Sequence, residues 1–249
     1  MWRLTRLPLR PIAALALPCA AVGYSQNEAT VCSDHNDPIH DMLEHLYGDL
    51  ADGDEIPVHD AQRIDDSGGH VAYGELTTRG LRDLGKKYLQ PQTDDVFADL
   101  GSGRGRAVLQ CALEWPCRKA VGIELSDTRH GIAQRALERC PPAVRARATL
   151  VHGDLLDLEE CEDATIIYVA SLLFDDPFMA RLGQRLTEAL PRLRMVTSLT
   201  RFPPDALPGF TERMSNFAAD ADPDVLAERV EVTWGAARVF VYERDLSPS

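Results

Sequence analysis

Positive charge is in short supply in this chain: Lys and Arg number 26 against 39 Asp and Glu, a formal net charge of −13. Nucleic-acid backbones are gripped through a Lys/Arg footprint, so unaided binding to DNA or RNA is not expected, and no direct nucleic-acid patch is evident. A basic protein tail suits such a surface better. The six cysteines, Cys19, Cys32, Cys111, Cys117, Cys140 and Cys161, lack C-x-x-C pairs and zinc-finger spacing. They read as scattered buried thiols rather than a metal site or a disulfide framework. An apolar run long enough to span a bilayer comfortably is also missing, since the Ala-rich stretch from Ile12 to Gly23 is too short. With 249 residues the chain can bury one sizeable core but not two large domains.

What is present divides into three parts. Arg3, Arg6 and Arg10 are the only charges before Glu28, so residues 1–27 read as a signal or transit peptide. Such a leader implies the secretory route or an organelle, and the nucleus if it is not functional. Residues 28–69 are acidic and carry His35, His40, His45 and His59 without ligand spacing. They are expected to form a solvated acidic helix or loop, with a short helix from Asp41 to Leu50. Residues 70–245 hold the main domain.

Its centre is the run from Thr93 to Leu125. An apolar strand, Val96 to Leu100, enters a glycine turn. A helix from about Gly105 to Glu114 follows, and a second strand ends on Glu124. Gly101, Gly103 and Gly105 let the backbone turn tightly and approach a ligand. The spacing is G-x-G-x-G, unlike the dinucleotide fingerprint G-x-G-x-x-G, and Asp99 stands two residues before the first glycine. A carboxylate there suits a cationic sulfonium ligand with a free amino group, and it repels a pyrophosphate. Glu124 ends a strand where it can accept both ribose hydroxyls. Asp154 follows the third strand, Thr149 to His152, within reach of an adenine amine. Three acids at three successive strand ends make S-adenosyl-L-methionine the expected cofactor.

Upstream, Tyr73-Gly74-Glu75 precedes a helix predicted from about Thr78 to Leu89. Y-G-E before a helix, D-L-G-S-G-x-G about 25 residues on, G-I-E at the second strand and G-D after the third occur here in one order. Over roughly Ala72 to Tyr242 the chain resembles the non-SET histone H3 lysine methyltransferases of the disruptor-of-telomeric-silencing type. The resemblance implies that Tyr73, with Leu76 and Thr77, lies over the methionine part of the cofactor. Glu75 belongs to the same motif. Asp99, Gly101 and Gly103 would hold the amino-acid end, within a turn that also contains Ser102, Gly105 and Arg106. Glu124 would take the ribose, and Asp154 with Leu155 the adenine.

The chain departs from that family at several points. Where the family carries Asn-Asn after its fourth strand, this chain has Ala170 and Ser171, the first beside the methyl-transfer centre. Arg106 replaces a cofactor-facing glutamine, Leu155 replaces the aromatic that packs on adenine, and the basic stretch that grips nucleosomal DNA is not visible.

The remainder completes a Rossmann-like α/β class I methyltransferase fold. The pattern predicts a strand from Thr165 to Val169, a helix from Pro177 to Leu190 and a strand from Arg194 to Leu199. Glu228 to Trp234 and Ala237 to Glu243 then alternate around Gly235 as an antiparallel hairpin. The expected sheet is mostly parallel and seven-stranded, with an antiparallel C-terminal hairpin.

A lysine acceptor must be neutral, and with a reference pKa near 10.4 only on the order of one molecule in a thousand is neutral at pH 7. A dry aromatic channel would disfavour the ammonium. Tyr73, Phe174, Phe202, Trp234 and Phe240 are candidate walls; with Ala170 and Ser171 they surround the expected transfer centre. The expected function is a histone H3 lysine N-methyltransferase acting on a basic protein substrate. Two alternatives stay open: a methyltransferase for a small molecule or non-histone protein in an organelle or the secretory route, and a catalytically weak cofactor-binding module.

Overall fold

Every residue of Val96–Leu100 (β1) is buried, as a central parallel strand requires. A computed structural model describes residues 37–213 and 229–245 of the chain. The leader 1–27 and residues 28–36, with Cys19, Cys32 and His35, lie outside the described residues. Lys119–Glu124 (β2), Ala148–His152 (β3), Ile166–Val169 (β4) and Met195–Ser198 (β5) join β1 in the parallel order β3-β2-β1-β4-β5. Two antiparallel strands, Phe240–Arg244 (β9) and then Phe210–Glu212 (β6), finish the seven-stranded sheet beside β5.

Alternation along the strands feeds two cores. Phe97 and Tyr168 point into one layer, with Leu109 and Ile132; Ala98 and Val169 point into the other, with Met179 and Leu186. The helices Arg106–Glu114 (α4) and Asp127–Arg139 (α5) cover the first face. Asp176–Ala189 (α7) covers the second, its start capped by Asp175, which accepts from the Phe178 N–H at 2.8 Å. Among the described residues no helix is long and apolar enough to cross a membrane. Cys111, Cys117, Cys140 and Cys161 are free and buried, as their scatter predicts.

The acidic segment differs from its expectation. Pro38–Tyr47 (α1) and Val58–Ser67 (α2) are ordered helices, and α1 buries Leu43, Leu46 and Tyr47 against α4 and α5. Burying the two leucines alone contributes about 3–6 kcal/mol. Helix α1 also starts earlier than predicted, because Asp37 accepts from the Ile39 and His40 amides and Pro38 suits the first turn. Asp37 pairs with Arg82 at 2.6 Å, so part of the acidity serves docking rather than solvation.

The helix predicted from Thr78 to Leu89 is Thr78–Leu84 (α3) continued by a π turn over Gly85–Leu89. The antiparallel C-terminal hairpin is present, but its second strand is not the continuous predicted run from Ala237 to Glu243. Arg229–Val232 (β7) pairs with Gly235–Arg238 (β8) as a separate two-stranded sheet, and the chain passes through Val239 into β9 of the main sheet. Period-two alternation runs through both strands and carries no mark of the change of partner. Helix α5 and strand β6 have no counterpart in the sequence reading, α5 because it buries little more than Ile132 and two alanines, β6 because it is three residues long.

Helix α3 lies so close to β7 that a Cβ at Gly80 would sit 2.0 Å from the Glu231 carbonyl oxygen. Gly80→Ala should therefore destabilise the fold by about 2–3 kcal/mol, a fall in Tm of roughly 5–10 °C. An unchanged Tm in a thermal scan would show that α3 does not seat on β7 in this way.

Candidate active site

Asp99 is the next-to-last residue of β1, Glu124 closes β2, Asp154 follows β3 and Ala170 follows β4, all at the carboxyl ends of parallel strands. Open α/β sheets hold their ligands there. A cavity of about 240 Å³ opens at this edge, lined by Glu124, Asp154, Leu155, Ala170, Phe174 and Trp234 among others. A smaller cavity of about 20 Å³ adjoins it and is lined by Asp99, Ser102, Arg106, Glu75, Leu76 and Tyr168. Tyr73, Gly74, Gly101 and Ala170 line both.

The glycine turn forms because three of its residues take left-handed backbone, with φ of 82° at Gly101, 54° at Gly103 and 75° at Gly105. A Cβ added at Gly101 would meet only Leu155 Cδ2 at 3.9 Å, so the missing side chain leaves room for a ligand. At Gly103 the space is already taken: a Cβ would lie 2.4 Å from the Tyr73 ring. Glu124 ties the turn to β2, its Oε2 accepting from the Gly103 N–H at 2.8 Å and its Oε1 from the Ser126 N–H at 2.7 Å. Each oxygen keeps a second lone pair. Asp154 Oδ1 accepts from the Leu156 N–H at 2.9 Å.

Tyr73 is fixed from three sides. Its hydroxyl donates to Glu75 Oε1 at 2.6 Å and accepts from the Arg104 N–H at 3.0 Å, while the Arg129 guanidinium lies 4.3 Å from its ring centroid. Burial, with the negative charge of Glu75 beside it, raises the Tyr73 phenol well above its ordinary range, so it stays protonated. Arg104 pairs with Glu75 at 2.7 Å. The Trp234 ring lies so close to Gly74 that a Cβ there would come within 1.7 Å of it.

Asp99 stands apart. It is 4% exposed, and its Oδ1 is sealed from solvent without a hydrogen-bond partner. Burial, then the nearby carboxylates of Glu124 and Glu75, push its carboxyl up to about 8. A buried acid without a partner is a site awaiting a donor, and a cationic donor most of all.

Thirteen of the sequence-predicted site residues meet at the two cavities: Tyr73, Glu75, Leu76, Asp99, Gly101, Ser102, Arg106, Glu124, Asp154, Leu155, Ala170, Phe174 and Trp234. Others serve the scaffold instead. Thr77 caps α3 by accepting from the Gly80 N–H at 3.0 Å, and Gly103 and Gly105 form the turn without lining either cavity. Ser171 is fully buried, and its Oγ accepts from the Thr200 N–H at 3.0 Å. Phe240 lies on β9 against the Arg201 and Arg238 guanidiniums, and Phe202 stacks edge-on with Tyr242, so neither walls a channel. Phe240 was expected to face the site as part of the hairpin, and the strand's departure into the main sheet carries it away. Arg106 lines the smaller cavity while its guanidinium pairs with Glu44 at 2.6 Å.

Sequence reasoning missed the α2 wall, with Ile64 and Ser67, and the two arginines that hold Tyr73. Arg129 is 4% exposed and donates to the carbonyls of Gly53 and Val71, closing both ends of the segment that carries α2. Asp60 on α2 accepts from Ser126 Oγ at 2.8 Å and the Thr128 N–H at 3.0 Å at the start of α5. Arg104, inside the glycine turn, is the one member that its position in the motif could have revealed.

Residues 63–242 match the family described as "Histone methylation protein DOT1". The chain is 33% identical over 138 residues to "Histone-lysine N-methyltransferase, H3 lysine-79 specific" of Caenorhabditis elegans, covering 51% of this chain and 14% of the relative. The Drosophila melanogaster protein of the same description is 29% identical over 139 residues, covering 51% of this chain and 7% of the relative. A "Protein-lysine N-methyltransferase" of Saccharolobus islandicus (strain REY15A) is 35% identical over 98 residues, 39% of this chain and 58% of the relative. The chain thus spans only a minor part of the two animal relatives and less than two thirds of the third.

Proposed function

The chain belongs to the DOT1 histone methylation family, and from that premise we propose that it transfers a methyl group from S-adenosylmethionine to the side-chain nitrogen of a lysine in a protein. The observation that carries this reading is the unpartnered carboxyl of Asp99, set at the strand-end edge with Glu124 and Asp154 beside an aromatic-walled cavity. The residues present fit the cofactor: Asp99 and the open side of Gly101 its amino-acid end, Glu124 its ribose, Asp154 and Leu155 its adenine. When bound, the cofactor supplies a methyl group on a sulfonium, an electrophile already activated for in-line displacement.

The chain's own task is alignment and exclusion of water. Tyr73, held by Glu75, Arg104 and Arg129, offers a fixed wall at the point where the two cavities meet. Phe174, packed on Phe178 at 4.6 Å between centroids, and Trp234 add apolar surface to the larger cavity. Such walls favour a neutral amine over an ammonium. Arg104 neutralises Glu75, which leaves no free carboxylate from that motif to hold the acceptor in its charged form.

Histone H3 is the first acceptor to test, by the descriptions of the animal relatives. A non-histone protein is the second, favoured by the methyl side chain of Ala170, which brings no polar atom to the centre, and by the broader description of the Saccharolobus relative. Labelled cofactor should mark lysine in free histone H3, in nucleosomes or in another basic protein, read by mass spectrometry of the product. Ala170→Asn should raise turnover on histone H3 and leave cofactor affinity unchanged, because an added amide that aligns the amine acts on the transition state alone. Cofactor binding without transfer to any protein would overturn the lysine reading.

A further inference from the structure

Two acidic or basic side chains besides Asp99 line the smaller cavity, and both are matched: Glu75 with Arg104 at 2.7 Å, Arg106 with Glu44 at 2.6 Å. Asp99 makes no ion pair among the described residues, and its Oδ1 has no hydrogen-bond partner. The pocket is therefore left with one acidic group that has no basic partner. Directly across the β1–β4 ladder, Tyr168 is in register with Asp99. Side chains paired in this way share one face of the sheet, and both line the cavity. Tyr168 is 3% exposed, and its hydroxyl has no hydrogen-bond partner among the described residues. Buried phenols normally find one. Two residues on, Ala170 lines the same cavity with a methyl group, so Tyr168 is the only polar side chain that β4 and its exit bring to this space.

Resting on the methyltransferase reading above, which already gives Asp99 to the cofactor's amino-acid end, we propose that the Tyr168 hydroxyl is a second acceptor for the α-ammonium group there and makes Tyr168 a specificity-determining residue. An ammonium is compact enough for a water-sized space and carries three donors and no acceptor. It satisfies the phenol oxygen and the carboxylate at once, and its charge favours the ionised form of Asp99. A carboxylate placed here would be repelled by an ionised Asp99, and a water molecule would fill the space without bringing a counter-charge. Tyr168 thus contributes a polar contact from the strand on which Ala170 brings none.

The test is titration calorimetry with S-adenosylhomocysteine and with its deamino analogue, which keeps the carboxylate and lacks only the amino group. Tyr168→Phe removes one oxygen from an otherwise intact ring. It should weaken S-adenosylhomocysteine about 10-fold or more, as loss of a hydrogen bond to a charged group does, while the deamino analogue binds both proteins equally. Asp99→Asn, an isosteric change, gives the reference for such a selective loss, and Tyr168→Leu serves if Tyr168→Phe proves unstable in a thermal scan. Equal weakening of both ligands would overturn the proposal in favour of a packing role, and so would no change in either. A wild-type protein that binds neither ligand would instead refute the methyltransferase reading on which the proposal stands.

Discussion

Glu124→Ala should weaken S-adenosylhomocysteine binding by at least about 100-fold, because two hydrogen bonds from ribose to a charged group contribute roughly 1.5–3 kcal/mol each. The same substitution should lower stability. Both carboxylate oxygens already accept backbone amides, from Gly103 at 2.8 Å and Ser126 at 2.7 Å. Without them two N–H groups lose their partners, at a cost of about 1–3 kcal/mol for each that remains buried. One carboxylate thus shapes the glycine turn and receives the ligand, so Tm and affinity fall together. Calorimetry and a thermal scan on the same preparation measure both. Unchanged affinity beside a lowered Tm would leave Glu124 as a purely structural clasp and remove the ribose from this strand end.

Affinity for S-adenosylhomocysteine should also rise with pH, roughly 50-fold between pH 6 and pH 8. In the free protein burial, with Glu124 and Glu75 nearby, pushes the Asp99 carboxyl up to about 8, so near neutrality it is mostly protonated. An ammonium ligand needs the carboxylate. Binding near pH 7 must then release close to one proton, measurable as a dependence of the calorimetric enthalpy on the ionisation heat of the buffer. Stability of the free protein follows the opposite course. An unfolded Asp titrates near 3.9, so between about pH 4 and pH 8 the folded state holds a proton that the unfolded state has lost. The contribution of Asp99 therefore favours folding at the acid end of that window and is lost as pH rises through it. Asp99→Asn should flatten both profiles. A wild-type affinity that is level from pH 6 to pH 8, with no proton released, would mean that Asp99 does not receive the ammonium.

The features behind these effects differ in how local their causes are. The strand-turn-helix from Val96 to Glu114, the acids Asp99, Glu124 and Asp154, and the motif Tyr73-Gly74-Glu75 were all legible. Each is local: glycines are needed where φ is positive, apolar runs where a strand is buried on both faces, and an acid at a strand end faces the ligand edge by topology alone. The parallel half of the sheet followed for the same reason.

What remained illegible depends on which distant segments meet. Residues 38–67 look solvated by composition, yet Leu43 and Leu46 are core residues and α2 walls the larger cavity. Burial is decided by the partner surface rather than by average polarity. Phe240 and Trp234 share one alternating stretch, but the chain changes sheets between them, so only the tryptophan reaches the site. Ser171 follows Ala170 and yet turns away to Thr200. By itself the sequence determined the kind of pocket, because glycine turns and strand-end acids are short-range features. Only the tertiary structure decided which charges remain unpaired in it: Arg104 and Glu44 are spent on Glu75 and Arg106, and Asp99 is left facing Tyr168 with no cation of its own.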